Sequence, residues 1–157
     1  MNNLVEGALS ANGLKLCIIA TRWNEFIVDK LTQGAMSAAR RHGAQDNNID
    51  LVMVPGAYEI PFAARKLAAT NRYDAIVTLG CVIRGATPHF DFVAGEAAKG
   101  ISAVAHETGI PVSFGVLTTD TIEQAIERAG TKAGNKGEEA MMVAIEMANL
   151  SRKIEEL

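Results

Sequence analysis

The sequence predicts an α/β fold, a three-layer α/β/α domain on a central parallel four-stranded sheet. Three observations predict it. Four short apolar segments alternate with helical ones along the chain. Those segments are apolar on both faces, as strands buried from two sides are. Right-handed crossovers between consecutive parallel strands then place helices on both sides of the sheet.

The first strand is LKLCIIAT (14–21), and Asn24 is placed to cap the helix after it. In that helix Ile27, Leu31, Ala35 and Ala38 recur at helical spacing, and Gly43 ends it after a basic turn. IDLVMV (49–54) is the second strand, leading through PGAYEIP into a helix over ARKLAAT. AIVTLGCVI (75–83) is the third, with its helix expected from about Pro88 to His106. PVSFGVL (111–117) is the fourth, followed by a helix over TIEQAIERAG. The last helix starts near Lys136, with Val143, Met147, Leu150 and Ile154 as its apolar stripe. The first dozen residues stand outside this scheme. Disorder and addition of a strand to a neighbour's sheet edge are both open to them.

A chain of 157 residues suits a single domain, 1–157, with no linker, repeat or low-complexity segment. With 48% hydrophobic and 21% charged residues it is a globular protein, able to bury about 70% of its unfolded surface. A net charge of −3 offers no basic face for nucleic acid. MNNLVEGALSANGLK has neither a basic start nor a continuous apolar stretch, so no signal peptide is expected. No run is long enough to span a membrane. Cys17 and Cys81 sit inside strand runs and read as small buried hydrophobes, in keeping with a reducing cytoplasm.

Chemistry is expected at the carboxyl ends of the strands, where open α/β sheets bind ligands. Trp23, Tyr58 and Phe90 follow strands one to three, and Phe114 lies on the fourth. Such aromatics either pack the rim or form a pocket for a flat ring. In LGCVIRGATPHFDFV (79–93) the strand breaks into Gly85, Ala86, Thr87 and Pro88. Thr87 suits an N-cap and Pro88 a first helical position, so the loop opens on free helix amides that favour an anion. His89 lies in that first turn, where the helix dipole disfavours a charged imidazole and leaves a ring able to accept a proton. His42 and His106 lie near helix C-termini and read as structural. GTKAGNKG (130–137) is no phosphate loop: it lacks Gly-Lys-Ser/Thr and follows a helix, which makes it a helix–helix connector or a contact surface.

These elements carry a resemblance. RWNEFI (22–27), VPGAYEIP (54–61), LGCVIRGATPHFDFV (79–93), FGVLT (114–118) and ERAGTKAGNKG (127–137) stand in order from residue 14 onward. Together they resemble the lumazine synthase family. The resemblance implies a flavodoxin-like domain that joins 5-amino-6-(D-ribitylamino)uracil to 3,4-dihydroxy-2-butanone 4-phosphate, without cofactor or metal. It implies that Trp23 stacks on the pyrimidine ring and that backbone groups of Ala57, Tyr58, Val82 and Ile83 read ring or tail. Asn24 and Glu59 are implied to bond ribityl hydroxyls. Gly85, Ala86, Thr87 and Arg128 would hold the phosphate, and His89 would move protons. Phe114 and Lys136 match positions supplied from an adjacent subunit, and Arg128 is a further candidate to cross that boundary. Homo-oligomers of pentamers, an icosahedral 60-mer, riboflavin synthase as a partner and a cytoplasmic location are also implied. Trp23 and Tyr58 stand where phenylalanine is common, and Pro88 where threonine is common.

Overall fold

The computed structural model describes residues 2–157. Strands β1 (Leu16–Thr21), β2 (Ile49–Val54), β3 (Ala75–Ile83) and β4 (Val112–Thr119) form one sheet in the order β2-β1-β3-β4. Every pairing in it is parallel. Helices α1 (Glu25–Arg41), α2 (Ile60–Ala68), α3 (His89–Thr108), α4 (Ile122–Glu127) and α5 (Lys136–Glu155) supply the flanking layers. Two short strands, β5 (Ala129–Thr131) and β6 (Gly134–Asn135), pair antiparallel between α4 and α5. Among the described residues no helix is long and apolar enough to cross a membrane.

Successive strand residues point to opposite faces, and the core divides accordingly. Leu16, Ile18, Val77 and Leu79 pack with Leu31 and Ala35 of α1 and with Met141 and Ile145 of α5. Cys17, Ile19 and Ile76 face the other way, against Ile60 and Ala64 of α2 and Ile101 and Val104 of α3. The three-layer fold is therefore present, with β1 buried at all six positions. Strand β2 departs from the expectation of two buried faces: Leu51 and Met53 are exposed, because β2 is an edge strand.

Four local expectations are corrected. The stripe Val143, Met147, Ile154 of α5 is exposed, and the helix buries Ala140, Met141, Ala144, Ile145 and Ala148 instead. Segment 130–137 is the β5–β6 hairpin rather than a plain helix–helix connector, and α4 stops at Glu127. Thr87 does not cap α3; Pro88 takes the cap position and no side chain bonds there. The N-terminal segment is not unattached: Asn149 Nδ2 donates to the Ala8 and Ser10 carbonyls at 2.7 and 2.8 Å, and Ala11 and Leu14 are fully buried.

The cap of α5 is the one the sequence did not advertise. Asn135 Oδ1 accepts from Gly137 N at 2.8 Å and Glu138 N at 3.1 Å, while its Nδ2 donates to Lys30 O at 3.0 Å. Here α1 and α5 touch backbone to backbone. A Cβ on Gly137 would lie 2.0 Å from the Leu31 carbonyl oxygen, and backbone cannot swing aside as a side chain can. Gly137→Ala is therefore expected to destabilise the fold by about 1–3 kcal/mol, the usual cost of overpacking. Urea unfolding checks this, and an unchanged midpoint would mean the two helices separate freely.

Candidate active site

Strands β1, β2 and β3 end at one rim, and a cavity of about 460 Å³ opens there against α3. Trp23 and Asn24 enter it from the end of β1, and Ala57, Tyr58 and Glu59 from beyond β2. Val82 and Ile83 come from the last residues of β3, and His89 from the first residue of α3. Eight of the expected site residues thus meet in one place. Trp23 and Tyr58 keep 63% and 60% of their surface exposed, so each presents a ring face that the protein itself does not cover. Gly56 lets the indole lie close, since a Cβ there would sit 2.4 Å from the Trp23 ring.

The backbone holds this rim together. Arg22 N donates to Val54 O at 2.8 Å and Trp23 N to Pro55 O at 3.0 Å, which joins the β1 and β2 exits. Asn24 sits in left-handed backbone at φ 60° and makes no side-chain cap for α1. Its Nδ2 instead donates to Cys81 O at 2.8 Å, tying β1 to β3 and leaving Oδ1 as an acceptor. Glu59 carries a different signal. Its Oε2 is buried without a hydrogen-bond partner among the described residues, so the carboxylate lacks a donor at the cavity wall. Cys81 also lines the cavity, but burial pushes its thiol up to about 11, and a protonated thiol is a poor nucleophile at neutral pH.

Sequence reading missed Thr21, Gly56, Cys81, Phe92 and Val93 in this wall. Phe92 and Val93 were within reach, because they follow His89 by three and four residues and so share its helix face. Phe92 is 69% exposed. Phe90 is the aromatic that does not join: its ring lies 4.2 Å from the Arg84 guanidinium carbon and lines no part of the cavity.

The remaining expected residues lie elsewhere. Phe114, Arg128 and Lys136 line a second cavity of about 190 Å³ along β4, the other edge strand. The two cavities share no residue. Arg128 Nη1 donates to Gln124 O at 3.0 Å, and Lys136 Nζ lies 3.1 Å from Glu139 Oε2. Gly85, Ala86 and Thr87 line neither cavity and are exposed between β3 and α3, where a Cβ on Gly85 would meet nothing within 4 Å. One chain therefore presents an aromatic, largely apolar cavity on one side and a cationic edge on another.

The chain matches the family model for 6,7-dimethyl-8-ribityllumazine synthase over residues 13–152. It is 62% identical over 150 residues to the 6,7-dimethyl-8-ribityllumazine synthase of Desulfotalea psychrophila (strain LSv54 / DSM 12343). That alignment covers 96% of this chain and 97% of the relative.

Proposed function

The chain belongs to the 6,7-dimethyl-8-ribityllumazine synthase family, and we propose that the cavity at the β1–β3 rim is where its condensation takes place. The reaction joins 5-amino-6-(D-ribitylamino)uracil to 3,4-dihydroxy-2-butanone 4-phosphate and releases phosphate and water, the penultimate step of riboflavin biosynthesis. The observation that carries this site assignment is the meeting of VPGAYEIP and VIRGATPHFD residues around one cavity, within the matched span.

The roles follow from the groups present. The uracil ring stacks on Trp23, while the backbone of Ala57, Tyr58, Val82 and Ile83 reads its edges and tail. Glu59 Oε2, which has no partner among the described residues, accepts from a ribityl hydroxyl, and Asn24 Oδ1 can accept another. The phosphate sits on the amides of Gly85, Ala86 and Thr87. The ring amine attacks the ketone to give a carbinolamine, which loses water to form an imine. Elimination expels phosphate, the enol tautomerises to a ketone, and attack of the ribitylamino nitrogen on that ketone with loss of a second water closes the ring to the lumazine. His89 takes and returns the protons of these steps.

Arg128, Lys136 and Phe114 serve this site from a neighbouring copy. Their separation from the ring cavity of their own chain supports that reading, since a phosphate at Gly85 otherwise lacks them. The exposed Phe26, Phe62, Phe92, Leu51 and Met53 support self-association, because soluble monomers seldom leave so many large apolar side chains uncovered. The assembly we propose is a set of pentamers, closing into an icosahedral 60-mer in the cytoplasm, with riboflavin synthase as a partner. The exposed Leu4 and Val5, ahead of the residues tethered to α5, are the part of the N-terminal segment left to pair with the open β2 edge of a neighbour.

The test is to mix the protein with both substrates and follow lumazine fluorescence against an enzyme-free blank. Product formation faster than the blank and saturating in each substrate is the expected result. Rates equal to the blank, from folded protein, would leave a ligand-binding or shell subunit as the better reading.

A further inference from the structure

The roles above leave two charged residues of VIRGATPHFD without a task, Asp91 and, at the head of the loop, Arg84. The Arg84 side chain makes three contacts, on two segments beyond its own. Nε donates to Asp120 Oδ1 at 2.9 Å, just beyond β4, and Nη1 donates to Asp91 Oδ1 at 3.2 Å in the first turn of α3. The guanidinium also stacks on Phe90, 4.2 Å from the ring centroid. The backbone of Arg84 is fixed as well, its N–H donating to Thr119 O at 2.8 Å.

The loop that follows has no such hold. Among the described residues, the amides of Gly85, Ala86 and Thr87 make no hydrogen bond, and no side chain caps α3. The free amides suit an anion, but an unrestrained loop would have to be ordered each time one bound. Arg84 stands at the start of this loop and grips its far end. It spans the loop from β3 to Asp91, two residues beyond His89. Its charge is already shared by two carboxylates, chiefly through the Asp120 hydrogen bond, so it is poorly placed to serve as a phosphate ligand itself.

We propose that Arg84 is a positioning residue: bridging Asp91 and Asp120 and stacked on Phe90, it holds the Gly85–Thr87 amides and the start of α3 at His89 in the arrangement that receives the substrate's phosphate. This rests on the phosphate reading given above. Arg84, Asp91 and Asp120 are all largely exposed, and exposed ion pairs add little to global stability. The bridge should therefore be felt at the loop and not in the melting temperature.

Arg84→Lys separates these effects, because lysine keeps the charge but loses the planar fork and the stacking. The expected result is a rise of about 10-fold in KM for 3,4-dihydroxy-2-butanone 4-phosphate, within the ~10²-fold that a misplacement of about 1 Å can cost. Inhibition by inorganic phosphate should weaken by a similar factor, while Tm and the KM for the aminouracil stay within error. Asp120→Asn should give a smaller change in the same direction, and the double variant less than the product of the two. Inorganic phosphate is titrated first on the unaltered protein. An unaltered enzyme that phosphate inhibits, beside an Arg84→Lys variant with the same phosphate inhibition and the same KM, overturns the positioning role alone. Equal losses for both substrates with a lowered Tm overturn it too, since Arg84 would then be structural. An unaltered protein that forms no lumazine and ignores phosphate overturns the phosphate reading instead.

Discussion

His89→Ala is expected to lower kcat by about 10²-fold, the lower end of what general acid–base help supplies, and to leave activity well above the blank. In energy this is about 2.7 kcal/mol of the barrier. The imidazole borders the cavity beside the exposed loop, close to where the phosphate-bearing carbons would lie. Imine formation and elimination both move protons there. Yet an aryl amine and a reactive ketone condense unaided, so most of the acceleration should come from holding them together. Effective molarities of about 10⁵–10⁸ M show how large that share can be. Stability should not change, because His89 is exposed and its side chain makes no hydrogen bond among the described residues. Steady-state rates with both substrates saturating decide the matter. A folded variant that binds substrate but shows no turnover above the blank would mean that proton transfer, not proximity, dominates.

The fold was legible because its signal is redundant. β1 and β3 are apolar at nearly every position, and a run of that kind has few places to go except the middle of a parallel sheet. The failures have a common cause, which is that local pattern cannot see what lies opposite. Helix α5 is apolar on two faces. Its core face uses Ala140, Ala144 and Ala148, small residues that look weak beside Val143 and Met147, although close packing on α1 requires them. Asn24 reads locally as a cap, but its partner is a carbonyl 57 residues away. Strands of two and three residues, as in the β5–β6 hairpin, are too short to show a period.

Eight of the residues that line the β1–β3 rim cavity were legible along the chain, and the geometry that joins them was not. The aromatic after β1, the aromatic after β2 and the histidine opening α3 are visible in order along the chain. That they share a cavity depends on β1 lying between β2 and β3, which alternation alone does not decide. That Phe114 lies apart depends on β4 being an edge strand. Sheet order, a long-range property, therefore separates the ring cavity from the cationic edge.

This separation gives Arg128→Ala a more informative outcome than a simple loss. The variant should raise KM for the phosphorylated substrate about 10- to 100-fold, the range for losing a hydrogen bond worth about 1.5–3 kcal/mol to a charged group. Its effect on kcat should be smaller, and the fold should survive, because Arg128 is only half-buried and its side chain, among the described residues, makes one hydrogen bond, to Gln124 O, and a long ion pair to Glu127. The concentration dependence of lumazine formation measures this, and an unchanged KM would remove Arg128 from the phosphate role. Co-expression with the His89→Ala chain then asks which copy supplies the arginine. If each site takes His89 from one chain and Arg128 from the next, random mixing makes about a quarter of the sites fully intact. The mixture would then turn over faster than either variant alone at low phosphorylated substrate. If both residues came from the same chain, every site would carry one lesion or the other, and the mixture would give no more than the average of the two.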